Sequence, residues 1–260
     1  MDRIAGLCPT AWRPKLVANA LACWQAQDWR GPRRLFILDD SGQGNEQSGE
    51  DWEIHVVPGP AESLAAKYDW LWDHALEWGA TIVAVWEDDD AYLPWHLSAA
   101  VESLYRGKAW WAHPRYVLST YSGRLEREPS GGRFHAALVA TVEALRAIGG
   151  WPRTRRADFD QQLLGRLRAA FGPAADPTER HQPSYVFRWA DTGSPHAQAK
   201  MSGPEDETWY GRAWQAAYEA CQVPLGPAGW ALRPEFDEVT RRIYSWVVDR
   251  VAPRRGLPTG

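Results

Sequence analysis

The part of the sequence that most directly indicates chemistry is a run of four consecutive acids at residues 87–90. It follows an apolar run at residues 81–86 that is rich in β-branched residues and predicts a buried strand, and Pro94 opens a helix just beyond it. Carboxylates packed this closely repel one another unless a cation neutralises their charge. We therefore predict a divalent-metal site at this strand end; the alternative is an acidic, solvated loop.

A second strand predicted at residues 35–38 also ends in acids, Asp39 and Asp40, before a loop rich in glycine and serine. Open α/β sheets bind their ligands at the carboxyl ends of the strands. Two acidic strand ends therefore predict one shared binding edge. The alternative for Asp39 and Asp40 is a simple Asx turn.

The elements that must position these acids alternate between strand and helix in the first part of the chain. We predict strands at residues 4–8 and 54–57, a helix that Pro14 begins, and a helix with apolar positions spaced from Leu64 to Leu76. This alternation is typical of βαβ units on a largely parallel sheet. The predicted fold class is therefore α/β, with a mostly parallel central sheet flanked by helices.

Beyond residue 108 the pattern changes to shorter segments. We predict strands at residues 109–111, 116–121, 134–141 and 185–189, a turn-rich loop at 123–132, and helices at 142–148, 157–171, 205–221 and 237–251. We predict one domain over residues 1–203, divided into halves at 1–107 and 108–203, and a C-terminal helical extension over 204–260 that packs on it.

Composition narrows the range of functions. The 260 residues carry a formal net charge of -4, so no global basic surface indicates a nucleic-acid partner. The three cysteines lack CxxC spacing, which argues against a zinc cluster or a disulfide framework and fits a reducing compartment. No apolar run approaches the roughly 20 residues that span a bilayer. We therefore expect a cytoplasmic protein.

Several motifs, taken in order, give the chain a family resemblance. They are Pro9-Thr10, Asp39-Asp40-Ser41-Gly42, Lys67, Glu87-Asp88-Asp89-Asp90 with Pro94, and Gly149-Gly150-Trp151-Pro152 followed by Ala157-Asp158-Phe159-Asp160. Over residues 4–201 the sequence resembles the nucleotide-sugar-dependent glycosyltransferases of the GT-A fold, of the family-2 type. In this comparison residues 1–107 correspond to the nucleotide-sugar half and residues 108–203 to the acceptor half.

The resemblance implies a donor site and a metal site of DXD type. The implied donor-binding residues are Pro9, Thr10, Asp39, Asp40, Lys67, Asp88 and Asp89. The implied ligands of a Mn²⁺ or Mg²⁺ ion, which would neutralise the diphosphate leaving group, are Asp89, Asp90 and His196. Glu87 stands where the family usually has Asp, and Asp88 is an additional acid that could take its role. For Lys67 and His196 the alternative is an ordinary exposed side chain.

The resemblance also implies a catalytic base and an acceptor side. Asp158 aligns with the base, and Asp160 is the alternative because Ala157 replaces the acid that usually precedes it. Both could instead simply lie at a helix N-terminus that favours acids. The implied acceptor-side residues are Trp151, Arg153, Arg155 and Arg156. The tryptophans that could stack on a base or sugar are Trp12, Trp86, Trp151 and Trp189, whereas His113 and His135 are interpreted as structural.

The predicted function is a metal-dependent glycosyltransferase that moves a sugar from a nucleotide-sugar donor, a UDP-sugar in the first instance, to a hydroxyl acceptor. Transfer would be inverting, with an aspartate base. The acceptor is either a saccharide or small molecule, or a hydroxylated base in DNA, as for some phage-encoded relatives. The alternatives are a nucleotidyltransferase, which the lack of glycine at residues 9–15 disfavours, and a non-catalytic nucleotide- or sugar-binding relative.

Overall fold

The computed structural model describes residues 1–11, 13–42, 44–120, 124–156, 158–188 and 232–251. The strands are β1 (Ile4–Thr10), β2 (Arg33–Asp39), β3 (Gln47–Ser48), β4 (Trp52–Val56), β5 (Ile82–Val85), β6 (Ala91–Tyr92), β7 (Trp111–Ala112), β8 (Tyr116–Ser119), β9 (Glu126–Pro129), β10 (Val139–Thr141) and β11 (Tyr185–Phe187). The helices are α1 (Pro14–Gln25), α2 (Leu64–Glu77), α3 (His96–Gly107), α4 (Val142–Ala147), α5 (Phe159–Phe171) and α6 (Glu238–Val251).

A seven-stranded sheet with the order β3-β4-β2-β1-β5-β10-β7 forms the centre of this part of the chain. Strands β4, β2, β1 and β5 are parallel neighbours, while β10 runs antiparallel between β5 and β7. Five of the seven strands therefore point the same way, counting β7. The predicted α/β class with a mostly parallel central sheet is confirmed.

The register of the parallel strands brings the acidic segments to one edge. Thr10 at the end of β1 pairs with Asp39 at the end of β2, and Leu7 pairs with Val85 at the end of β5. These strands are buried along β1 and β5 and over the last five residues of β2. Burial on both faces explains the continuous apolar runs in the sequence, and parallel pairing explains why their ends meet.

Two helices near this edge start where the sequence predicts. Pro14 occupies the first turn of α1, where its missing N–H costs no hydrogen bond. Ser63 caps α2, because its Oγ accepts a hydrogen bond from the N–H of Ala66 at 3.1 Å. Helix α2 turns Lys67 and Tyr68, both buried, toward the sheet.

The second half of the chain departs from prediction in two places. Residues 126–129, expected in a turn-rich loop, form β9 in a four-stranded sheet of order β6-β11-β8-β9 that the sequence did not predict. The strand expected over residues 134–141 is wrong in its first half, where His135–Ala137 form a 3₁₀ turn before β10. Phe134 has a left-handed backbone with φ of 59°, which interrupts the extended run.

The C-terminal helix α6 packs against the central part of the fold. Asp237, just before it, forms an ion pair with Arg188 at 2.7 Å. The backbone N–H of Asp237 donates a hydrogen bond to Oδ1 of Asn19 at 3.2 Å. The hydroxyl of Tyr244 donates to the backbone carbonyl of Tyr92. The helix predicted at residues 205–221 lies outside the described residues. Among the helices that are described, none combines the length and apolarity needed to cross a bilayer.

Candidate active site

Three carboxylates gather just beyond β5, at the shared edge of the parallel strands. One oxygen each of Glu87, Asp89 and Asp90 lies within 4.8 Å of the others, and we call these three residues the acidic cluster. Asp89 and Asp90 are buried, and Glu87 is partly exposed. Hard oxygen ligands of this kind suit Mg²⁺ or Mn²⁺, so the donor set fits the predicted metal.

Asp90 is held from the second sheet. The hydroxyl of Tyr185 in β11 donates to its Oδ2, and the backbone N–H of Arg188 donates to its Oδ1 at 3.1 Å. Asp90 is 0% exposed, so these two donors replace the water that an ionised carboxylate requires. Strand β11, far from residue 90 in the sequence, therefore determines where this carboxylate lies.

Asp88 makes a different set of contacts, toward the end of β1. The hydroxyl of Thr10 donates to its Oδ2 at 2.6 Å, and the guanidinium of Arg13 lies 3.0 Å from its Oδ1. Arg13 also donates to Asp89 at 2.9 Å. Burial raises the pKa of Asp88 to about 6, although Arg13 acts in the opposite direction. The acid that joins Asp89 in the acidic cluster is therefore Glu87, whereas Asp88 pairs with β1 and Arg13.

Lys67 and Asp40 form a buried ion pair beside the same edge. The Nζ atom of Lys67 lies 2.7 Å from Oδ1 of Asp40 and also donates to the carbonyl of Thr10. The N–H of Ala61 donates to Oδ2 of Asp40 at 2.9 Å. Lys67 is only 3% exposed, so the alternative of an ordinary exposed lysine is wrong. Its charge is balanced by Asp40 within the protein.

Asp39 lies at the end of β2 under a closely packed loop. The N–H of Ser41 donates to its Oδ1 at 3.0 Å, which is the Asx-turn contact offered as the alternative. A Cβ atom on Gly44 would lie 2.8 Å from Oδ2 of Asp39, so only glycine fits there without a shift. Pro9, also assigned to the donor site, is buried in β1 and pairs with Leu38.

The rings of Tyr68, His135 and Trp151 pack together beside the carboxylate of Glu87. The hydroxyl of Tyr68 donates to Oε1 of Glu87 at 3.2 Å, and Nδ1 of His135 lies 3.6 Å from the same oxygen. The indole N–H of Trp151 donates to Nε2 of His135 at 3.1 Å, and its ring stacks on Tyr68 with centroids 5.2 Å apart. Burial lowers the pKa of His135 to about 4, opposed by the charge of Asp160.

Sequence reasoning missed Tyr68, His135 and Tyr185 as residues that contact the acidic cluster. His135 was interpreted as structural, and no local motif marks it. It approaches Glu87 because β10, just after it, pairs with β5, just before Glu87. For Tyr68 a signal existed, since it follows Lys67 on the apolar face of α2.

The two candidate bases lie on either side of Phe159, whose ring packs 5.6 Å from that of His135. Asp158 is bound by Arg156, at 2.9 and 3.1 Å, and by Gln162 at 3.0 Å. The hydrogen bond from Arg156 lowers the pKa of Asp158. Helix α5 therefore begins beside the rings that contact Glu87.

Asp160 accepts hydrogen bonds at its two oxygens from the backbone and side chain of Gln161, at 2.7 and 3.1 Å. The acceptor-side arginines Arg153, Arg155 and Arg156 are exposed. Trp151, assigned to the same side, is 1% exposed and acts through packing and its N–H.

Of the other tryptophans proposed to stack on a ligand, the structure describes only Trp86. Trp86 is fully buried and stacks on Tyr92 with centroids 3.8 Å apart, so it belongs to the core. His196, Trp12 and Trp189 lie outside the described residues, as does Ala157.

Comparison with known proteins identifies the fold. No protein-family profile and no curated protein matches the sequence. Among solved structures, the chain is similar to residues 1–349 of S. aureus TarS in complex with UDP-GlcNAc, with a TM-score of 0.60 and 12% identity over 87% of this chain and 68% of that chain. For the complex of the same residues with UDP, the TM-score is 0.57 at 11% identity, over 84% of this chain and 70% of that chain.

For the structure of S. aureus TarS that is not restricted to residues 1–349, the TM-score is 0.54 at 12% identity, and 97% of this chain matches 50% of that chain. The chain thus spans half the length of that protein. At such identities the likeness shows the fold alone, which is the GT-A-like glycosyltransferase fold.

Proposed function

We propose that the chain is a metal-dependent glycosyltransferase that transfers a sugar from a UDP-sugar or related nucleotide-sugar donor to a hydroxyl acceptor. The observation that carries the proposal is the acidic cluster at the carboxyl edge of the parallel strands. It lies within a fold similar to that of structures in complex with UDP and UDP-GlcNAc. Ligand binding at this edge is the general behaviour of open α/β sheets.

In this proposal, Glu87, Asp89 and Asp90 hold Mn²⁺ or Mg²⁺, with His196 as a further ligand. The ion would neutralise the charge that develops on the diphosphate leaving group. Thr10 and Asp39, paired neighbours at the ends of β1 and β2, would contact the nucleoside. Carboxylate and hydroxyl oxygens there can accept hydrogen bonds from a base or a ribose.

The proposed base is Asp158, with Asp160 as the alternative. An inverting transfer needs a carboxylate that takes the proton of the attacking hydroxyl. Asp158 is engaged by Arg156, which favours its charged form but weakens its basicity. Replacing each aspartate in turn with asparagine identifies which of the two is the base, because loss of the base should lower kcat by roughly 10²- to 10⁴-fold and leave the affinity for UDP unchanged.

The first experiment is a calorimetric titration of UDP with and without Mn²⁺. Wild type should bind UDP in a Mn²⁺-dependent way, and Asp89→Asn should lose that dependence. Asp51→Asn is the matched control, since Asp51 also pairs with an arginine, Arg33, but at the opposite edge of the sheet, where β2 begins. Metal-independent binding in wild type would remove the metal from the proposal, and no binding of UDP or GDP would refute the donor site.

The acceptor remains a choice between a neutral saccharide or small molecule and a polyanion such as DNA with hydroxylated bases. Arg153, Arg155 and Arg156 project from the segment before the proposed base and are exposed, so they could contact phosphates. Binding to DNA would weaken steeply with salt, because phosphate contacts release counterions. Transfer to a neutral acceptor would change little between low and moderate salt, and this comparison decides between the two classes.

A further inference from the structure

We propose that Tyr68 and His135 are positioning residues that hold the carboxylate of Glu87 in the orientation in which it joins the acidic cluster. Trp151 acts one step further away, by fixing the tautomer of His135. The inference rests on the proposed function in one respect, that the acidic cluster is the cation site. It assigns roles to three residues that the sequence did not place there.

The tautomer of His135 follows from the chemistry of its partner. The indole N–H of Trp151 can only donate a hydrogen bond, and it lies 3.1 Å from Nε2 of His135. That nitrogen must therefore accept with its lone pair, which requires a neutral imidazole with its proton on Nδ1. A histidine near a cation site is commonly oriented by such a fixed bond on its other nitrogen.

The protonated Nδ1 faces Glu87. It is buried, has no hydrogen-bond partner within the described part of the chain, and lies 3.6 Å from Oε1 of Glu87. A buried donor without a partner is rare and calls for a functional explanation. A movement of about 0.5 Å would bring the two atoms within hydrogen-bond distance. Because Tyr68 already donates to the same oxygen at 3.2 Å, two donors converge on one side of the carboxylate.

The hydroxyl of Tyr92 links the backbone at Glu87 to the backbone next to His135. The hydroxyl of Tyr92 accepts a hydrogen bond from the N–H of Glu87 at 2.8 Å and donates to the carbonyl of Ala136 at 3.3 Å. Ala136 follows His135 in the 3₁₀ turn. The Glu87 and His135 backbones are therefore tied together, so the distance between their side chains does not depend on rotamers alone.

The surrounding rings restrict movement of the two donors. Trp151 stacks on Tyr68 with planes 5° apart, and the ring of Phe159 packs edge-on against His135. His135 and Tyr68 themselves meet edge to face at 5.0 Å. Close-packed rings in rotamer minima hold their polar atoms in place, as ligand-orienting residues require. The arrangement also explains how a glutamate can serve here, because its longer side chain has more rotamers to restrain.

The test uses the full chain and a matched pair of substitutions at one position. Asparagine places an amide nitrogen close to where Nδ1 of His135 lies, whereas glutamine reaches the Nε2 position and leaves no donor toward Glu87. Calorimetry with Mn²⁺ alone should show roughly a 10- to 100-fold weaker affinity for His135→Gln, while His135→Asn stays within about threefold of wild type. Equal affinity for His135→Gln and wild type would overturn the proposal.

Two controls separate positioning from stability. His113→Gln replaces another buried histidine, whose Nε2 is 3.2 Å from the carbonyl of Phe134, and should leave Mn²⁺ affinity unchanged. Trp151→Phe keeps a ring that can stack on Tyr68 but removes the N–H that fixes the tautomer, so it should weaken Mn²⁺ binding less than His135→Gln does.

A spectroscopic readout distinguishes failure of this proposal from failure of the proposed function. In ¹⁵N NMR of the metal-free chain, His135 should show a protonated Nδ1 whose chemical shift changes in Glu87→Gln. A protonated Nε2, or no response to Glu87→Gln, would overturn the positioning role. If wild type binds no Mn²⁺, the metal-dependent function fails, and the NMR result still decides whether His135 acts on Glu87.

Discussion

Removing the positive charge of Lys67 should destabilise the fold more than almost any other single substitution at the candidate site. In Lys67→Met the side chain keeps its length but no longer supplies the ammonium that lies 2.7 Å from the carboxylate of Asp40, which is 0% exposed. Breaking a buried ion pair from one side costs about 3–5 kcal/mol. Loss of the donor to the carbonyl of Thr10 is included in that range.

The expected magnitude can be checked by a double-mutant cycle measured by urea unfolding at neutral pH. Asp40→Asn alone should also cost about 3 kcal/mol, since it leaves the buried ammonium of Lys67 unpaired. The double variant has no unpaired charge and should cost less than either single variant, about 1–2 kcal/mol, mainly for hydrogen bonds that are no longer made.

A double variant as unstable as the sum of the two single variants would refute this reasoning, because it would mean that the two charges do not interact. So would a loss below about 1 kcal/mol for Lys67→Met, the range of exposed ion pairs. Arg106→Met is a suitable control, since Arg106 pairs with Glu179 at 3.1 Å and Glu179 is 64% exposed. It should cost less than about 1 kcal/mol.

Three further predictions follow from individual contacts. Burial lowers the pKa of His96 from its usual 6.5 to about 3, so the unfolded chain takes up the proton first as pH falls, and stability present above pH 6.5 should drop by about 2 kcal/mol at pH 5. His96→Asn should remove that part of the pH dependence in urea unfolding. Gly44→Ala places a Cβ 2.8 Å from Oδ2 of Asp39 and should lower UDP affinity roughly tenfold by calorimetry. Tyr185→Phe removes a donor to Asp90 and should weaken Mn²⁺ binding about tenfold.

The His96 and Tyr185 predictions each have a control that separates the specific effect from general loss of stability. Ser184→Ala removes the hydroxyl that lies 3.0 Å from Nδ1 of His96. Its cost in unfolding free energy should be the same at pH 5 as above pH 6.5. An unchanged acid response in His96→Asn would contradict the assignment. Tyr105→Phe removes an exposed hydroxyl that donates to Asp2, at the end of the sheet opposite the acidic cluster, and should leave Mn²⁺ affinity unchanged. Unaltered UDP affinity in Gly44→Ala would show that the loop can yield without moving Asp39.

Local patterns identified the four parallel strands of the first half and the helices that follow them, but not the two-residue strands β3 and β6. The buried parallel strands have continuous apolar sequences, and the helices have 3.6-residue periodicity, with a clear start at Pro14. The second half was harder to predict. Strand β9 is only partly covered, so its sequence lacks apolar alternation, and it is held by pairing with β8 across an intervening loop. The left-handed backbone at Phe134 likewise has no glycine to signal it.

The sequence alone determined that an acidic edge exists, because acids that directly follow buried parallel strands must emerge at the same end of the sheet. It could not determine which acids act together. Asp88 is drawn to Thr10 and Arg13, and Glu87 is brought beside Asp89 and meets His135. These choices depend on the pairing of β1 with β5 and of β5 with β10, which join segments far apart in the chain. Side-chain chemistry is local, but the partners that orient each carboxylate exist only after the chain has folded.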